Sequence, residues 1–162
     1  MRRRAIASTV ALLVAVLAFW YWPTDRRRII AAGRELEEAI SIPAAEQDLA
    51  RVTRAAVLSR LLAPRFLLSD PTGLLRLDGR EPALGLATRF RPPRGITVTI
   101  ADLDPLFSDD GLTATSRSTV TLRQPGGEGE PDLVDTLKVE TTWTKADAWQ
   151  LAQVSLLRVD EP

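Results

Sequence analysis

Histidine and cysteine are absent from this 162-residue chain, tyrosine occurs once, at Tyr21, and lysine twice, at Lys138 and Lys145. Metal binding through imidazole or thiolate is thereby excluded, and so are Ser–His and Cys–His nucleophile pairs. No disulfide framework ties the chain to an oxidising compartment. The available chemistry is that of carboxylates, arginines and two lysines, so neither a cofactor nor a metal site is expected. No nucleic-acid-binding motif is present, and the aromatics fall in one apolar segment or at core-like positions, which argues against a nucleic-acid partner.

Charge is missing over one long stretch. Eighteen uncharged, mostly apolar residues, Ala5 to Trp22, lie between Arg2-Arg3-Arg4 and Arg26-Arg27-Arg28. As a helix this run would be roughly 27 Å long, close to the thickness of a bilayer's hydrocarbon core. Trp20, Tyr21 and Trp22 suit the headgroup level, where amphipathic rings settle. Two readings compete. A signal peptide cleaved after Ala18 fits the basic start, but no polar segment precedes the site and apolar character continues through the aromatics. An uncleaved signal-anchor is the preferred reading. It gives a basic N-terminus at 1–4, a transmembrane helix at 5–22 and a folded domain at 23–160. Long domains translocate largely regardless of flanking charge. The expected location is therefore the inner (cytoplasmic) membrane of a bacterial envelope, with the C-terminal domain outside the cytoplasm and the bilayer as partner of residues 5–22.

Formal charge is zero but unevenly placed. Residues 1–94 carry sixteen arginines against nine acids, and residues 95–162 five bases against twelve acids. A basic face near the membrane would attract anionic headgroups at around 1 kcal/mol per charge. The alternative is a set of ordinary solvated helix faces.

Pro23 breaks the apolar run, and Thr24-Asp25 can cap a helix in which Ile29, Ala32, Leu36, Ala39 and Ile40 recur at helical spacing. Ile42-Pro43 ends it. A second helix is predicted from about Pro43 to Ala63, with Leu49, Val52, Ala56, Val57 and Leu61 as its apolar positions. Asp70-Pro71-Thr72-Gly73 reads as a turn between short extended pieces. Asp78-Gly79-Arg80-Glu81 has the spacing of a capping box and opens a third helix through Phe90. After Gly95 the period changes to two: Ile96, Val98 and Ile100, then Leu112–Arg123, Leu133–Thr144 and Trp149–Val159 read as strands. Helices first and strands last predict an α+β domain, a curved antiparallel sheet packed on about three helices.

This order resembles the nuclear transport factor 2-like superfamily, the cone that polyketide cyclases and steroid isomerases share. The resemblance rests on the helix pair, the Asp78-Gly79-Arg80-Glu81 opening and the terminal hairpin Trp143…Ala146-Asp147-Ala148-Trp149-Gln150-Leu151. It implies a fold rather than an activity. Enzymes of this kind place His, Asp or Tyr inside the cone, and this chain offers only carboxylates there. Asp135 is the one ionisable side chain on an otherwise apolar strand face, unless a register shift leaves it in solvent. Gln153 and Ser155 fall where the superfamily points polar side chains into its pocket, the alternative being a solvated sheet face. Arg80, Arg89, Arg91 and Arg94 are candidates to face an anion or lipid headgroup. The acids Asp102, Asp104, Asp109 and Asp110 lack the ligand ladder of a calcium loop and read as a turn.

Three functions follow. The first is a non-catalytic, membrane-anchored module binding an envelope partner protein, a second copy of itself or an apolar ligand, as in envelope proteins that hang this fold from one N-terminal helix. The second is an anchored isomerase or dehydratase using a buried carboxylate. The third is a lipid-binding cone. An apolar outer sheet face would favour the first, a buried carboxylate the second, and an apolar cavity the third.

Overall fold

The computed structural model describes residues 24–157, so the apolar run and its belt Trp20, Tyr21 and Trp22 lie outside the described residues. Among the described residues no helix is long and apolar enough to cross a membrane. Helix α1 spans Asp25–Ile40. Its N-cap is Thr24, whose hydroxyl oxygen accepts from the Arg27 N–H at 3.4 Å, and Asp25 adds an acid to the first turn, where the helix dipole favours it. Ile29, Ala32, Leu36 and Ala39 are buried, the stripe that the spacing predicts. The helix stops because Ser41 turns extended. Its hydroxyl donates to Glu37 O and accepts from Val98 N–H, each at 2.9 Å, which ties the helix end to a strand.

Helix α2, Asp48–Leu61, is shorter than predicted at both ends and presents a different face. Leu58, Leu61 and Arg54 are buried, while Leu49 and Val52 are 76% and 67% exposed. The reason is electrostatic. Arg54 Nε and Nη2 donate to the two carboxylate oxygens of Glu46 at 2.8 and 2.9 Å, and Nη1 donates to Ala87 O at 2.9 Å. A guanidinium that is paired and fully hydrogen-bonded can be buried, and doing so turns the helix away from its hydrophobic count.

Strand β1, Leu62–Ser69, follows directly, and β2, Arg76–Asp78, pairs back on it. Pro64 sits inside β1, where the ladder to its neighbour lapses between Leu62 and Leu67. A proline, lacking an N–H, is tolerated at such a gap. Helix α3, Arg80–Arg89, is not opened by a capping box. Asp78 still belongs to β2 and lies 3.4 Å from Arg76, and the cap is Gly79 at φ 98°, a conformation closed to other residues.

The remaining strands are β3 (Thr97–Ala101), β4 (Leu106–Phe107), β5 (Thr113–Gln124), β6 (Leu133–Lys145) and β7 (Trp149–Leu157). They complete one seven-stranded sheet in the order β2-β1-β7-β6-β5-β3, with β4 also on β5. The sheet is mixed rather than antiparallel throughout, because β1 and β7 run parallel. Ile29, Leu36, Leu58, Leu61, Leu62, Phe66, Ala114, Trp143, Trp149 and Leu151 form the core between helices and sheet. The first turn of α1 is fastened at two places: Lys145 Nζ, at the β6–β7 corner, lies 2.7 Å from Asp25, and Arg26 lies 2.9 Å from Asp104, between β3 and β4.

Candidate functional site

The inner face of the sheet is where enzymes of this shape hold their acid or base. Here it carries Ala114, Ser116 and Ser118 on β5 and Val139, Thr141 and Trp143 on β6, all buried. The hydroxyls are small and mostly engaged with the fold. Ser116 Oγ accepts from Asp104 N–H at 3.0 Å, and Thr141 Oγ1 accepts from the Trp143 indole at 3.2 Å. Asp135 does not join them. It pairs with Leu122 near the start of β6, where residues 133–136 are all exposed, so its carboxylate meets solvent.

Gln153 and Ser155 are displaced by a bulge. Trp143 pairs with Leu151, but the next residue back, Thr142, pairs with Gln153, which leaves Ala152 as an extra residue in β7. One inserted residue flips every later side chain to the other face. Val154 therefore packs on the core. Gln153 and Ser155 stand beside Thr142 and Glu140 on the outer face, where the Gln153 amide donates to Ser155 Oγ at 2.9 Å. They do not line the interior.

The outer face is polar. Thr97, Thr99, Thr115, Thr119 and Thr121 alternate outward along β3 and β5, Lys138 Nζ donates to Thr119 Oγ1 at 2.6 Å, and Arg117 pairs with Glu140 at 3.0 Å. Threonine satisfies the strand's preference for β-branched residues without offering an apolar surface. The apolar sheet face set out above as a mark of a binding module is not found there.

The four arginines are not gathered into one site. Arg80 donates to Ser59 O at 3.0 Å, Arg94 lies 3.1 Å from Glu130, and Arg80 and Arg89 stand at opposite ends of α3, about 14 Å apart by helical rise. Arg91, exposed, borders a small cavity of about 170 Å³ with Pro92 and Glu46. The acids Asp102, Asp104, Asp109 and Asp110 are likewise divided, Asp104 to Arg26 and Asp110 to Ser108 Oγ and Leu112 N–H. No group of three or more carboxylates among the described residues can hold a metal ion.

The carboxylates with clearly displaced ionisation are displaced downward. The Thr72 hydroxyl and Leu75 N–H hold Asp70 down, Ser108 and Leu112 hold Asp110, and Gly126 N–H and Arg123 hold Asp132. Asp25 is lowered first by its hydrogen bond from Lys145 and then by the Trp149 indole, which lies near it without a well-formed bond. These are turn and cap carboxylates held charged, the opposite of what a general acid requires. Because Asp25 ionises more easily folded than unfolded, its contribution is present above about pH 4 and fades as the pH falls through its folded value. Replacing Lys145 with Met is expected to move the Asp25 midpoint upward toward 3.8, read from carboxyl carbon shifts across a pH titration.

A concavity lies outside the cone, between α1 and α2. It is an open groove of about 510 Å³, within the range of ligand and peptide sites. Ala39, Leu49, Ala50 and Val57 are its apolar lining, and Glu35, Glu38, Gln47, Thr53, Arg54 and Arg60 its polar lining. Glu35 and Arg60 bridge it at 2.6 Å. Val52 continues the exposed apolar stripe of α2 beyond the groove. Periodicity had assigned Leu49 and Val52 to the core, which concealed this surface.

No family model and no curated protein matches the chain. Solved structures do. A nuclear transport factor 2-like superfamily protein from Salmonella enterica is 13% identical, with a TM-score of 0.60 over 85% of this chain and 96% of that one. ActVI-ORFA from Streptomyces coelicolor is 8% identical, with a TM-score of 0.63 over 83% and 96%. Aln2 from a Streptomyces species is 14% identical, with a TM-score of 0.62 over 82% and 89%. The domain therefore has the nuclear transport factor 2-like fold, and likeness at this level of identity carries the fold alone.

Proposed function

We propose that the chain is a membrane-tethered, non-catalytic binding module that displays a nuclear transport factor 2-like domain at the surface of a bacterial inner membrane. The α1–α2 groove carries the reading. Its lining combines apolar side chains, the exposed Leu49 among them, with charged ones, and Val52 stands exposed beside it. Such a surface suits an amphipathic helix presenting apolar residues at helical spacing. The packed inner face, with Trp143 and Leu151 at its centre, supports this reading over a lipid-holding cone. The exposed Asp135, together with the chain's lack of histidine, supports it over an isomerase or dehydratase.

A photoreactive residue at Leu49 or Val57 in the full-length chain is expected to give a discrete adduct in native membranes. Thr53→Arg, which fills the groove, should reduce that adduct at least tenfold. The same residue at Arg117, on the outer sheet face, should give none. Equal labelling at both positions, or adducts indifferent to Thr53→Arg, would overturn the reading. A lipid co-purifying with the domain on native mass spectrometry would favour the cone.

A further inference from the structure

The end of the sheet below the first turn of α1 is apolar in a way that the core does not use. Strand β4 lies at the edge, pairing Leu106 with Thr115 and Phe107 with Ala114, so the two side chains project to opposite sides. Leu106, Phe107 and Leu112 are all exposed. Phe107 stacks edge-on against Trp149 with ring centroids 5.6 Å apart, and Leu112 O accepts from Lys145 N–H at 2.9 Å. Lys145 is also the residue that holds Asp25, at 2.7 Å. The patch is thus one residue removed from the point where the chain leaves the domain. Only Pro23 and Thr24 separate Asp25 from the apolar run that ends at Trp22.

We infer that this end of the domain, Leu106, Phe107 and Leu112 around the β4–β5 turn, rests in the interfacial layer of a lipid bilayer. The inference rests on the membrane-tether reading above and adds to it an orientation. A tether this short holds the α1 end of the domain at the headgroups whichever way the domain turns. The exposed apolar side chains at that end are then the ones that lose water. Charges there nearly cancel: Lys145 and Arg26 are paired with Asp25 and Asp104, and the turn acids Asp109, Asp110 and Asp147 offset the other first-turn arginines. The contact is therefore apolar, and it survives high salt and needs no anionic lipid. Leu133 and Val134 are also exposed and apolar, but they begin β6, whose other end is Lys145. At about 3.3 Å per residue over the strand they lie about 40 Å from the membrane end. They are the internal control.

The chain has no cysteine, so a single introduced one carries a spin label at a known place. Full-length Leu112→Cys, Leu106→Cys, Leu133→Cys and Leu12→Cys proteins, each labelled and reconstituted in phosphatidylcholine vesicles, are compared by collision with oxygen and with a water-soluble nickel chelate. The oxygen-to-chelate ratio is expected to be several-fold higher at 112 and 106 than at 133, unchanged by 1 M salt, and highest at 12. A lipid signal at 12 with 112 as wet as 133 overturns the docking surface and leaves the tether standing. A wet label at 12 overturns both. A label at 112 shielded from both probes means that protein, a partner or a second copy, covers the patch, and this too overturns the lipid assignment.

Discussion

Replacing Glu46 by alanine is expected to lower the unfolding free energy by about 3–5 kcal/mol, the range for breaking a buried ion pair by removing one partner. Among the described residues the carboxylate is the only acid that the buried Arg54 guanidinium meets, and Arg51 Nε lies 3.8 Å from it. Arg51 Nε is buried and makes no hydrogen bond. Loss of the carboxylate therefore strands the buried Arg54 cation, whereas Arg51 keeps Asp48 as its partner through Nη2. Arg54→Met removes the buried cation itself and leaves Glu46 with Arg51 nearby, so its effect should be smaller. The pair of replacements Arg54→Met with Glu46→Leu should recover much of the loss, because a well-packed apolar pair is often as stable as a buried salt bridge. Urea unfolding of the four proteins reads these differences directly. Equal stability of wild type and Glu46→Ala would show that the pair contributes nothing.

Trp143→Ala is the second large effect. The side chain is 1% exposed, sits opposite Ala114 and Leu151 in the register, and is the largest fully buried group in the domain's described part. Truncation removes its apolar contacts and leaves a cavity bordered by strands on both sides, for a loss of about 3–5 kcal/mol. A single domain holds only about 5–15 kcal/mol in total, so this protein should be partly unfolded at 37 °C by circular dichroism. Trp143→Phe keeps most of the volume but removes the N–H that Thr141 Oγ1 accepts, and a loss of about 1–2 kcal/mol is expected. If both variants unfold at the wild-type urea midpoint, the core does not depend on this residue.

Period and punctuation made most of the architecture legible. The stripe of α1, the helix order, the Asp70-Pro71-Thr72-Gly73 turn and the long β5–β6 hairpin were all readable, because each depends on residues near in sequence. What could not be read depends on partners far apart. The buried face of α2 is set by Glu46 and by a carbonyl on α3, so a rule that sends arginine outward put Leu49 and Val52 inside and hid the groove. The face of Gln153 and Ser155 is set by one unpaired residue, Ala152, for which alternation gives no sign. Asp135 lies on the inward face by parity, but at a strand end that is exposed. Of the candidate site residues, parity therefore gave the right side of the sheet for Asp135 without its exposure, and the wrong side for Gln153 and Ser155.

The parallel pairing of β1 and β7 has a kinetic consequence. The two strands lie side by side in the middle of the sheet, as with Leu62 and Leu151, yet the whole of α3 and five strands separate them along the chain. Closing so long a loop precedes any reward from the contact, so the rate-limiting step should be the arrival of β7 rather than the formation of the helices. Until it arrives, Leu62 and Phe66 on β1 lack Leu151 and the parallel neighbour that closes the core beside them. A nascent chain stalled before Trp149 would therefore present a sticky half-domain to chaperones, and full synthesis would release it in one cooperative step.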